Sequence, residues 1–118
     1  MSPQRSRLRL NGDQAMRGTR AGAVRGLRLA AEHILAESRK IVPLEEGRLE
    51  RSGTATVDEG TLTAAVAYDT PYAARQHEQL NQRHSPGRSA KYLERPMGSE
   101  AQTVAELIAA QLRRSLRG

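Results

Sequence analysis

The sequence predicts an α+β domain: a small antiparallel β-sheet packed by a long N-terminal helix and a C-terminal helix, with a short helix after a central hairpin. Three observations carry that expectation. Apolar residues recur at helical spacing between Asp13 and Lys40, alternate at strand spacing up to Tyr68, and return to helical spacing after Ser99. With 118 residues the chain can bury one modest core and not two, so residues 1–118 are read as a single domain.

Ser6-Arg7-Leu8-Arg9-Leu10 alternates basic and apolar residues and stops at the turn signal Asn11-Gly12-Asp13. This reads as a short edge strand, the alternative being a disordered basic arm over residues 1–10. A helix then runs from Asp13 to about Lys40, with Asn11 or Asp13 as its N-cap. Val24, Leu27, Ala31, Ile34, Leu35 and Ser38 share one face of it, which is expected to meet the core. His33, among Ala and Arg residues, is expected at the surface.

Nearly opposite the apolar face, Gly18, Gly22, Gly26 and Ala30 form a stripe with almost no side chain. Each glycine costs a helix about 1 kcal/mol relative to alanine. The stripe therefore implies either close approach of another backbone or a frayed first half of the helix. Lying away from the apolar face, it is expected to meet another subunit.

Pro43 ends the helix, because proline disfavours helical geometry in the residue before it. Residues 44–52 allow one helical turn anchored by Leu44 and Leu49. A hairpin follows: Thr54 to Val57, a turn at Asp58-Glu59-Gly60, then Thr61 to Tyr68. Leu62, Ala64, Val66 and Tyr68 share one face of the second strand, and Thr61, Thr63, Ala65 and Ala67 the other. Two strands alone are marginal in water, so a third strand or a covering helix is required.

Pro71 suits the first turn of a short helix extending to Glu78, and residues 79–90 are polar with Pro86-Gly87 among them, a mobile-loop signal. Ser99 to Gln102 fits a capping box. Val104, Leu107, Ile108, Gln111, Leu112 and Leu116 then trace the apolar face of a last helix, acidic early and basic late as the helix dipole favours. The chain has no Phe or Trp, so Tyr68, Tyr72 and Tyr92 are its only large rigid core pieces, with Leu93 beside them.

Absence of cysteine excludes disulfides and thiolate metal sites and agrees with a cytoplasmic origin. No segment reads as a secretory signal or a membrane span. The formal net charge of +6 is unevenly spread: residues 1–40 are basic and residues 41–70 acidic. Such asymmetry suits nucleic-acid binding, and equally the meeting of one copy's basic face with the next copy's acidic one.

The residue patterns of catalysis are missing. His77-Glu78 with His84 matches no zinc spacing, and Gly87 to Lys91 lacks the ending of a phosphate loop. Glu45-Glu46 and Asp58-Glu59 sit in turns with nothing apolar to raise a pKa. Arg17, Arg20, Arg25 and Arg28 are placed to touch phosphates without reading bases, since stacking aromatics are absent from the basic regions. No enzymatic activity, cofactor or metal is expected. A toxin-like enzymatic role for His77 and Glu78 rests on that pair alone.

The order of motifs carries a resemblance. A strand and turn lead to a long helix ending at Ile41-Val42-Pro43 and then to Gly47-Arg48-Leu49-Glu50-Arg51-Ser52. After the hairpin come Pro71-Tyr72-Ala73 with His77-Glu78, and Lys91-Tyr92-Leu93-Glu94-Arg95-Pro96 before the last helix. Over nearly the whole chain this resembles the minor capsid and neck (head-tail connector, tail-completion) proteins of long-tailed bacteriophages. The chain departs from that pattern at Glu78-Gln79-Leu80, where many relatives turn at glycine.

The resemblance implies a structural virion protein, assembled in the host bacterial cytoplasm as a ring at the head-tail connector or capping the tail tube. Its partners would be further copies of itself and adjacent connector, portal-side or tail proteins, with non-specific DNA contact and no membrane. A ring repeats one heterologous contact and needs two unlike faces. Gly18, Arg20, Gly22, Arg25 and Gly26 are the expected subunit contacts on one side, with Glu45, Glu46 and Glu50 (and Asp58) opposite. Arg75, Gln76, His77 and Glu78 are expected to meet neighbours, and the 79–90 loop to order against an adjoining ring. The alternative function is that of a small basic nucleic-acid-binding protein.

Overall fold

A computed structural model describes residues 4–42, 53–68 and 91–117. Within them the chain forms β1 (Gln4–Arg9), α1 (Gly12–Ala15), α2 (Arg20–Arg39), β2 (Gly53–Asp58), β3 (Thr63–Tyr68), α3 (Lys91–Ser99) and α4 (Ala101–Ser115). The fold is α+β. The expected turn over 44–52, the helix after Pro71, Tyr72 and the 79–90 loop lie outside the described residues.

The strands make one antiparallel sheet in the order β1-β3-β2. The first strand supplies the third member that the hairpin needs, as an edge. Its register sets Ser6 against Val66 and Leu8 against Ala64, while Ala55 and Val57 face the same pair from the other side. Because side chains alternate along a strand, Leu8, Ala55, Val57, Ala64, Val66 and Tyr68 fall on one face, against the helices.

The expected second strand starts two residues early. Asp58 Oδ1 accepts hydrogen bonds from the backbone N–H groups of Gly60 (2.9 Å) and Thr61 (3.2 Å), and Leu62 adopts φ 50°. That left-handed conformation is uncommon for leucine. It is held by two contacts: Leu62 packs on the core, and its carbonyl accepts the Leu10 N–H at 3.1 Å.

The single helix expected from Asp13 is two. Asn11 and Gln14 form a capping box on α1, with distances of 2.8 and 3.1 Å. Thr19 then caps α2 through its side chain, which accepts from the Gly22 N–H. The break is stabilised from outside, since the Thr19 N–H donates to Ser115 Oγ of α4 at 2.9 Å. A tertiary bond thus replaces the helical one that periodicity alone would continue.

The core lies between the sheet and α2. Leu27 and Ile34 are fully buried, each stabilising the fold by about 1.5–3 kcal/mol. Ala31, Leu35 and Ser38 share their face, as expected, while Val24 is only half-buried. Tyr68 is fully buried, and its hydroxyl shares a 2.8 Å hydrogen bond with Ser38 Oγ. Its ring meets Tyr92 of α3 edge-on, centroids 5.1 Å apart and planes at 87°, a favoured aromatic geometry. Leu93 is buried as expected.

The last two helices depart from the expected cap. Ser99 belongs to the end of α3, so it cannot serve as an N-cap, and Glu100 occupies that position without a side-chain cap bond. Backbone bonds from Glu100 to Pro96 and from Val104 to Glu100 carry α3 almost directly into α4. Pro96 lies inside α3, where it removes one donor. Val104, Ile108 and Leu112 are buried on α4. Leu116, expected on that face, is the C-cap residue that follows α4 and is 66% exposed.

The glycine stripe meets α4 of the same chain. A Cβ on Gly18 would lie 2.7 Å from the Leu112 carbonyl oxygen, one on Gly22 2.5 Å from Ser115 Cβ, and one on Gly26 3.0 Å from Ile108 Cα. Close backbone approach was the right expectation and a second subunit the wrong partner. The stripe packs internally because α2 has two buried sides, one toward the sheet with Leu27 and Ile34 and one toward α4 with glycines.

Two predictions follow from this packing. Gly22→Ala is expected to destabilise the chain by about 1–3 kcal/mol through overpacking, although alanine is the better helix former by about 1 kcal/mol. Gly98→Ala, whose Cβ would meet nothing within 4 Å, should be neutral or stabilising by up to about 1 kcal/mol; urea midpoints at constant slope measure both. Tyr68→Phe and Ser38→Ala are each expected to cost about 1–2 kcal/mol, and their double mutant less than the sum.

Candidate interaction surface

The sheet is covered by helices on one face. On the other, three rows cross the strands: Arg5, Ala67 and Thr54; Arg7, Ala65 and Thr56; Arg9, Thr63 and Asp58. Each row runs from a guanidinium on β1, over a small residue on β3, to a hydroxyl or carboxylate on β2. The three arginines are exposed. Among the described residues, none of them enters an ion pair.

With Thr56, Asp58, Thr61, Thr63 and Ala65 they line a shallow concavity of about 650 Å³. Its depth comes from β3, whose Ala65 and Thr63 are short beside the arginines that flank them. Asp58 is the one carboxylate among these lining residues. Its Oδ1 already accepts from the backbone of Gly60 and Thr61, so the face as a whole offers hydrogen-bond donors.

A second concavity, about 340 Å³, lies between α1 and α4, with Ala105, Ile108, Ala109 and Leu112 as floor and Gln14, Arg17 and Arg113 as rim. Met16, 85% exposed, stands near it in the chain. Here α1 turns away before α2 begins, and so leaves part of the apolar stripe of α4 uncovered.

The expected contact residues are scattered. Gly22 and Gly26 are buried against α4, and Gly18 is half-buried there. Arg20 donates from its guanidinium to the Glu59 carbonyl, tying α2 to the hairpin turn of its own chain. Arg25 and Arg28 are exposed on α2. Glu45, Glu46, Glu50, Arg75, Gln76, His77 and Glu78 lie outside the described residues, as does His84.

His33 is not a free surface residue. Its Nε2 lies 2.5 Å from Glu100 Oε1, with the side chain 28% exposed, so the pair joins α2 to the α3–α4 junction. Lys40 Nζ donates to Glu37 Oε2 at 2.6 Å at the end of α2; this hydrogen bond lowers the carboxyl pKa of Glu37 and raises that of Lys40. Both groups are open to water, where such a pair adds little to stability.

Among the described residues no three potential metal ligands gather, and no helix is long and apolar enough to cross a membrane. The arginines of β1 escaped the sequence reading as a site, though their signal was present. Alternation puts Arg5, Arg7 and Arg9 on one side of a strand, and the small face of β3 was noted separately. Only the pairing of β1 with β3 joins the two.

Arg20→Ala is expected to speed amide exchange at Gly60 and Thr61 severalfold, with global stability changed by less than about 0.5 kcal/mol. Unchanged exchange would mean that Asp58 alone holds the turn. No protein-family model, curated protein or solved structure matches the chain.

Proposed function

We propose that this chain is a non-enzymatic structural protein of a tailed bacteriophage particle, a ring subunit at the head-tail connector or neck, or a cap of the tail tube. The order of motifs along the chain supports it, from the strand and long helix to Tyr92-Leu93 and Pro96 before the last helix. The observation that carries the reading is the pair of unlike surfaces left open by the fold. One is the apolar-floored groove between α1 and α4, rimmed by Arg17 and Arg113. The other is the exposed basic side of α2 with Arg25 and Arg28.

A heterologous contact joins two different patches; both of these carry arginines, so each would meet a patch of another character on the neighbouring copy. With the glycine stripe consumed inside the chain, Arg25 is the cleaner of the two arginines first expected at the contact, since Arg20 is engaged with Glu59. The acidic sequence between Glu45 and Glu50 supplies the opposite charge.

The test is negative-stain microscopy of particles made by the chain's source, labelled with an antibody against it. Label at the head-tail junction or the tail end is expected, and unlabelled particles overturn the reading. Arg25→Glu is expected to reduce ring formation with thermal unfolding unchanged; rings at the normal yield would remove this side of α2 from the contact.

A further inference from the structure

We infer that the face of the sheet on which Arg5, Arg7 and Arg9 are exposed is a binding surface for the phosphate backbone of double-stranded DNA, contacted by these arginines and by the threonine hydroxyls beside them. This goes beyond the ring reading and stands without it.

The geometry of β1 is the first argument. Alternate residues of a strand lie about 6.6–6.8 Å apart on one face, so the three guanidiniums form a regular row along the edge. A nucleic-acid strand is a polyanion with regularly repeated charges. The guanidinium fork matches a phosphate with two parallel N–H bonds.

Chemistry of the surrounding residues is the second. Thr56 and Thr61 add hydroxyl donors around the same concavity, the Thr63 hydroxyl donating instead to the Thr61 carbonyl at 3.3 Å, and Ala65 keeps its floor low enough for a backbone to approach. Asp58, the carboxylate among the lining residues, has an oxygen already committed to the hairpin turn. Charged residues on an edge strand also discourage pairing with other sheets. Lysine or glutamate at any position would do that. A row of three arginines aimed across small and hydroxyl-bearing neighbours adds a recognition surface.

The third argument sets what is bound and how. Both described tyrosines, Tyr68 and Tyr92, are buried in the core. Among the described residues the face therefore carries no aromatic stacking group, and the arginines are spaced along one strand as contacts to phosphate. An intact duplex, which presents backbone outward, fits this better than unstacked single strands. The formal net charge of +6 favours the same encounter.

The test is fluorescence anisotropy of the full chain with a labelled duplex of arbitrary sequence, over salt from about 0.05 to 0.3 M. Wild type is expected to bind with a steep salt dependence. Arg5→Gln, Arg7→Gln and Arg9→Gln together should reduce the slope of log affinity against log salt by about 2–3, and affinity at about 0.1 M salt on the order of 100-fold. The corresponding triple lysine variant keeps the charge and should keep the slope, which separates lost contacts from lost folding. A control triple, Arg95→Gln with Arg114→Gln and Arg117→Gln, removes equal charge from exposed positions of the C-terminal segment and should change the slope far less. Equal losses in the two glutamine triples, no duplex binding by wild type, or stronger binding to polyglutamate than to the duplex would each overturn the inference, the last in favour of an acidic protein partner.

Discussion

The packing of Tyr68 is the constraint on which the rest of this structure depends. It ends the central strand, its neighbours across the sheet are Gln4 and Gly53, and its hydroxyl and ring engage two different helices. Gly53 is shaped to it. A Cβ there would lie 2.9 Å from Tyr68 Cε1 and 2.8 Å from Leu35 Cδ1, so the absence of a side chain at Gly53 is what lets the ring and Leu35 pack there. In a chain without Phe or Trp, one large ring with a satisfied hydroxyl defines where the helices sit, because small aliphatic side chains offer many alternative packings and a buried hydrogen bond offers few.

A second constraint follows from the first. With α2 fixed against the sheet by Leu27, Ile34 and Ser38, its far side must be covered by something thin, since that side carries glycines. The C-terminal helix fills the place, with Ile108, Gln111, Leu112 and Ser115 lying against the helix backbone. Ser115 does two jobs at this contact. Its hydroxyl donates to the Leu112 carbonyl at 2.6 Å and accepts the Thr19 N–H, so the end of one helix organises the start of the other. The propensity lost at each glycine is offset by backbone contacts that a larger side chain would prevent.

Among the described residues, α3 and α4 pack with α2 on one side of the sheet and no helix lies on its other face. That asymmetry is the source of the functional proposals. A sheet with one packed and one open face requires small or polar residues outside, and here the outside is built from Thr, Ala and a row of arginines. The open groove of α4 arises similarly, where α1 stops short of it. Among the described residues, both surfaces remain because α2, α3 and α4 pack on one face of the sheet and against each other.

By itself the sequence determined the fold class, the edge strand, the hairpin, the core face of α2 and the apolar face of α4, because each is written in a local period of 2 or 3.6 residues. It also marked the glycine stripe as needing either a close backbone or a frayed helix, and left the two open. Tertiary structure decided which backbone that is, where the first helix breaks, why Ser99 caps nothing, and that His33 meets Glu100. Each of these turns on a partner distant in the chain, Thr19 with Ser115 and His33 with Glu100, and local spacing carries no information about distant partners. The arginine row shows the division most clearly: alternation placed Arg5, Arg7 and Arg9 on one side of a strand, and only the antiparallel register with β3 made that side a surface.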